Sequence, residues 1–142
     1  MLFQNAYQRI YRISAWYDLA VTWPYATPLT FAFFWQFLDV SHAQMGLAPL
    51  PEIPVYGILF ANFFGTVVLI WSIVRLKINN PALARYDAAG RWLFSAWMIN
   101  ALWQGASPLL WGFLIIEIGF AILQSLPIAA SDPSPESEAV HS

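Results

Sequence analysis

Apolar and polar positions in this chain are sorted into long blocks, not into the short alternation of a water-soluble fold. Val55 to Val74 contains no charged residue, and Trp92 to Leu126 contains only Glu117. A membrane-spanning helix needs about 20 predominantly apolar residues, so the first block predicts one span at about 54–75. The second block has 35 residues, and at ~1.5 Å per residue it would measure about 52 Å as one helix, well beyond a ~30 Å hydrocarbon core. It therefore predicts two spans, at about 91–106 and 108–126, turning at Gly105-Ala106-Ser107-Pro108, where Gly and Pro favour a turn and Ser can cap the next helix.

The N-terminal block begins around Arg9 and Arg12 and stops at Trp23-Pro24. A cleaved signal peptide is the rival reading, but Asp18, the bulky aromatics and the missing small-x-small site speak for a first span at about 5–23. Pro24 and Pro28 interrupt helical hydrogen bonding, which leaves either a kinked helix reaching Leu38 or a separate interfacial helix at about 27–44. The second explains more, because Asp39, Ser41, His42 and Gln44 stand beside Phe37, Leu38, Val40 and Met45, as at a water boundary. The proline-rich Gly46–Pro54 is then a connection. The predicted fold is all-α: one integral membrane four-helix bundle over 1–126, with the interfacial helix between spans 1 and 2. The Pro-, Ser- and acid-rich stretch 127–142 is predicted to be a disordered cytoplasmic tail.

Composition agrees with this class. The chain has 142 residues, of which 59% are hydrophobic and 10% charged, against about 25% charged in soluble domains. The absence of cysteine excludes disulfides, thiol redox chemistry and thiolate metal sites. The two histidines, His42 and His141, fall outside the spans, so a bis-histidine haem has no ligands. No basic surface suggests nucleic acid. Four of the six Lys and Arg residues (Arg75, Lys77, Arg85, Arg91) crowd into a predicted loop, and Arg9 and Arg12 hold the N-terminus. With four spans and a cytoplasmic N-terminus, all six lie inside and both termini are cytoplasmic, as retention of basic loops requires.

Few residues could carry chemistry. Glu117 sits mid-span, where a carboxylate costs on the order of 2.5 kcal/mol or more unless neutral or paired. Hairpin geometry puts Asn100 at a similar depth, with Gln104 one turn away and Asn62 at a comparable level on span 2. The expectation is one buried polar cluster around a protonated Glu117, either as interhelical glue or as a proton or ligand site. Asp18 is expected to pair with Arg91, for which Asp87 competes at i,i+4 spacing. Gly57, Ala61 and Gly65 form a flat strip suited to close helix packing. The 8 Trp, 6 Tyr and 11 Phe supply interface belts, and would also line a site for a quinone or other flat lipid. No phosphate loop, zinc spacing, nucleophile elbow or carboxylate pair is present.

The order of parts is a short first span ending at Trp23-Pro24, a stretch with His42 before Gly46-Leu47, a small-residue second span, a basic loop and a closing hairpin. Over residues 10 to 126 it resembles the small bacterial membrane proteins grouped as DoxX-like and related uncharacterised families. The resemblance implies an inner-membrane location and an accessory role in membrane oxidoreductase systems, and carries over no catalytic residue. The expected function is a non-catalytic accessory or assembly subunit, with no cofactor, partnered by membrane lipids and by another membrane protein or further copies of itself. The alternative is a small proton-coupled transporter or lipid- or quinone-binding protein using the Glu117 cluster. An intramembrane enzyme fits least, since acid-base chemistry normally needs a second well-placed group.

Overall fold

The computed structural model describes residues 2–78 and 80–129; the predicted tail lies, from residue 130 on, outside them. Five α-helices carry the fold: α1 Gln4–Thr22, α2 Pro28–Gln44, α3 Val55–Lys77, α4 Pro81–Trp103 and α5 Leu110–Ser125. A 3-10 turn, Trp23–Ala26, joins α1 to α2. Two-residue strands β1 Leu2–Phe3 and β2 Ile128–Ala129 pair in parallel, Leu2 opposite Ile128.

Local chemistry explains each boundary. Pro24 sits in the 3-10 turn, and Thr27 caps α2 by accepting the Thr30 N–H at 3.2 Å, with Pro28 in the first helical turn. At the end of α2, Gly46 takes φ +68° and the Leu47 N–H reaches the His42 carbonyl at 2.9 Å. Gly105 ends α4 in the same way, with φ +89° and the Ala106 N–H on the Ala101 carbonyl at 3.0 Å. Both are left-handed glycine caps that a side chain would strain.

The predicted basic loop is replaced by a short connection between α3 and α4. Helix α3 runs through Arg75 to Lys77, and α4 begins at Pro81, about ten residues before the expected start of the third span. Asn80 caps α4 by accepting the Ala82 N–H at 2.9 Å, and the alanines at 82, 84, 88 and 89 favour helix. Arg85 and Arg91 are consequently helical residues.

Contacts group the described residues into two compact units, one built from residues 2–12 and 80–129, the other from residues 13–78, where one bundle was expected. In the first unit α4 and α5 form an antiparallel hairpin, and Tyr7, Tyr11 and Ala84 form a small core with Leu83 and Ile128 against it. In the second unit α3 packs on the 3-10 turn and on α2. Tyr25 centres its aromatic cluster, with ring centroids 5.6 Å from Phe31, 5.2 Å from Phe34 and 5.9 Å from Phe64. Gly65 admits this contact: a Cβ there would lie 2.6 Å from the Tyr25 carbonyl oxygen and 2.7 Å from the Ala26 nitrogen. In the predicted packing strip, Gly65 is therefore the point of backbone approach, while Gly57 faces the Ile53 side chain.

Burial runs opposite to that of a water-soluble domain. Asp18, Ser72, Arg75, Asp87, Arg91 and Gln124 are buried, whereas Leu29, Phe33, Phe60, Val67, Trp97 and Ile115 are each more than half exposed. Lys, Arg, Asp and Glu are almost never fully buried unless paired, and large contiguous apolar patches are rare on soluble monomers. Helix α3 is long and apolar enough to cross a membrane, and α5 is a shorter apolar helix.

Candidate functional site

Each unit holds a buried ionic group built from helix faces. Along α1, the buried positions Tyr7, Tyr11, Ser14, Ala15, Asp18 and Thr22 recur every three or four residues and so form one stripe. In the second unit Asp18 pairs with Arg75, whose side chain is fully buried near the end of α3. Its guanidinium also donates to Ser14 Oγ at 3.2 Å and Ser72 Oγ at 3.3 Å. Two small hydroxyls thus join the carboxylate in the shell of a charge that would otherwise be costly to bury.

In the first unit Arg91 joins two carboxylates. Its Nε donates to Asp87 Oδ2 at 3.0 Å, one turn earlier on α4, and its Nη1 donates to Glu117 Oε2 at 2.8 Å on α5. The guanidinium lies 5.0 Å from the Phe120 ring centroid, within cation–π range. Toward the end of α5, the Tyr7 hydroxyl donates to the Gln124 carbonyl at 2.9 Å. Arg85 donates to the Ser125 and Leu126 carbonyls at 2.7 and 3.0 Å, satisfying groups that a helix C-terminus leaves unpaired. One turn beyond Arg91, Ser95 Oγ is buried without a hydrogen-bond partner among the described residues.

Several expectations are redirected. Glu117 was expected to be a neutral acid meeting Asn100 and Gln104; it meets a guanidinium, and both amides are exposed. Arg91, taken for a residue at the start of a span, stands well inside α4 on its buried face with Asp87 and Ser95, whereas Asn100, nine residues later at about 100° per residue, falls on the opposite, exposed face. Asn62 belongs to the second unit and donates to the Tyr25 carbonyl at 2.8 Å, anchoring the 3-10 turn to α3. The expected pair of Asp18 with Arg91 draws one member from each unit; within its own unit Asp18 is met by Arg75. The i,i+4 contact of Asp87 with Arg91 is present. Arg75 was read as a loop cation, although the Ser72 hydroxyl one turn before it hinted at an inward face.

On α2, His42 is buried with Nδ1 2.9 Å from the Ala48 carbonyl oxygen, and Asp39 Oδ1 accepts the Leu50 N–H at 2.8 Å. These contacts fold the proline-rich connection back onto α2. At the α4–α5 turn an apolar cleft of about 430 Å³ is lined by Ile99, Leu102, Trp103, Ala106, Pro108 and Trp111. It suits an acyl chain or flat ring and offers no charged group. No family model matches the chain, and no curated protein or solved structure does either.

Proposed function

We propose that this chain is a multi-pass integral membrane protein acting as a non-catalytic accessory or assembly subunit of a membrane complex. Helices α1, α3, α4 and α5 would span the bilayer, α2 would lie at the outer interface, and the α3–α4 connection, with the exposed Lys77 beside it, and both termini would face the cytoplasm. The observation that carries the reading is the reversed burial: Arg75 and Arg91 are 1% and 3% exposed, while Phe60 and Val67 on α3 are 66% and 65% exposed. Hydrocarbon solvates such a surface and penalises buried charges unless they pair with one another, as these do.

Two features favour the accessory role within that class. The buried charges hold helices together, and α3 leaves Phe60, Phe63, Val67 and Ile70 uncovered by its own chain, a face open to lipid or to a neighbouring helix. The resemblance to DoxX-like proteins points the same way. Gentle-detergent purification followed by mass spectrometry of everything retained tests the reading. A stoichiometric membrane-protein partner that crosslinks to position 63 or 67 is expected; recovery of this chain alone would count against it. Reporter fusions after Ala48 and after Ile78 should report opposite sides of the membrane.

One observation favours a second reading. Asp87 and Glu117 share the single guanidinium of Arg91, an arrangement in which one acid could exchange a proton during transport. Under that reading Glu117→Gln abolishes a measurable proton-coupled flux; under the first it leaves partner binding intact.

A further inference from the structure

The buried stripe of α1 has a counterpart on its other side. At about 100° per residue, Arg9, Arg12, Ile13, Trp16 and Ala20 fall on one face opposite Tyr7, Tyr11 and Asp18, and all five are exposed. Ile13 and Trp16 are 59% and 61% exposed. Among the described residues, no hydrogen bond or ion pair engages Arg9 or Arg12, whereas Arg75, Arg85 and Arg91 each have several partners. The same helix face therefore carries two unpaired cations one turn apart, followed within about 10 Å of rise by bare isoleucine and tryptophan.

We propose that the outer face of α1 binds an anionic phospholipid, its phosphate held between Arg9 and Arg12 and its acyl chain lying along Ile13 and Trp16. Charge complementarity selects the occupant. Two adjacent guanidinium forks match the oxygens of a phosphate, and the apolar continuation selects a lipid over a soluble phosphate. Tryptophan at the boundary between head group and chain is the usual interfacial anchor. The proposal rests on the membrane reading above and adds to it a preference among lipids at one place.

The test reconstitutes the full chain into nanodiscs of equal phosphatidylglycerol and phosphatidylcholine, re-extracts it in mild detergent, and counts retained lipids by native mass spectrometry. Near the membrane each basic residue is worth roughly a fivefold preference for anionic lipid, so two predict enrichment on the order of twentyfold or more. The variant Arg9→Gln/Arg12→Gln should lose most of the enrichment, and Arg9→Lys/Arg12→Lys should keep most of it. Equal enrichment in wild type and the glutamine variant overturns the proposal, as does an absence of enrichment in wild type, which would send the two arginines to an acidic protein segment. Resistance to alkaline carbonate extraction is read on the same membranes. A chain that stays in the bilayer without lipid preference defeats only this inference; a chain that washes off defeats the membrane reading as well.

Discussion

Removing Arg91 should be the most damaging single change in the α4–α5 hairpin, because one side chain neutralises two carboxylates. The Arg91 side chain is 3% exposed, against 6% for Asp87 and 13% for Glu117, with contacts of 3.0 and 2.8 Å. A buried ion pair contributes little net stability against an apolar replacement, but deleting one partner strands the other and typically costs about 3–5 kcal/mol. Arg91→Met takes the guanidinium from two acids at once, so the loss should fall within that range. Glu117→Gln leaves the Arg91–Asp87 contact in place and keeps an amide oxygen near Nη1, so only the charge-assisted part of one hydrogen bond is lost, about 1–3 kcal/mol. The Arg91→Met/Glu117→Gln double variant removes one of the acid charges that Arg91 neutralises and should be more stable than the sum of the singles by about 1 kcal/mol. Reversible unfolding in mixed micelles, followed by far-ultraviolet circular dichroism, gives all three values. Strict additivity, or an Arg91→Met loss no larger than that of the exposed Arg9→Met, would refute the cluster as the tie between α4 and α5.

Gly65→Ala should destabilise by about 1–3 kcal/mol, because the added methyl meets the Tyr25–Ala26 backbone, which cannot rotate away. Gly90→Ala, in the interior of α4 with nothing within 4 Å of the new methyl, should instead stabilise by up to about 1 kcal/mol, and the two are separated in one thermal series. Burial raises the Tyr25 phenol above its ordinary value. The unfolded chain therefore loses that proton first, so stability is complete below about pH 10 and declines as pH rises from there through the folded value. Tyr25→Phe should remove this part of the alkaline loss in a pH series of unfolding midpoints. Tyr7→Phe deletes the buried hydrogen bond to the Gln124 carbonyl and should cost about 0.5–1.5 kcal/mol by the same unfolding measurement.

The helices were legible wherever a local rule acts alone. Pro24, Pro28, Gly46 and Gly105 mark chain breaks through backbone geometry, and the structure places turns or helix ends at each. The stretch from Arg75 to Arg91 was harder to read because charge there serves two purposes that look identical in a sequence. Lys77 is exposed at the end of α3, whereas Arg75, two residues earlier, is buried on Asp18 and two serines. A hydropathy reading gives both the same penalty and assigns both to a loop. Only the side-chain direction around the helix separates them, and it is set by partners distant in sequence: Ser14 and Asp18 for Arg75, Glu117 for Arg91. The Glu117 expectation failed for the same reason. Depth along a hairpin is readable at about 1.5 Å per residue, but the face is not: Asn100 lies about 180° around α4 from the buried Arg91 and is exposed, so matching depth did not bring it to Glu117. In α1 the division between faces is readable from the helical period. Its inward positions are Tyr, Ser, Ala, Asp and Thr and its outward ones Arg, Ile, Trp and Ala, so the repeat of about 3.6 residues that sorts them is written in the sequence, while the partners that bury Asp18 are not.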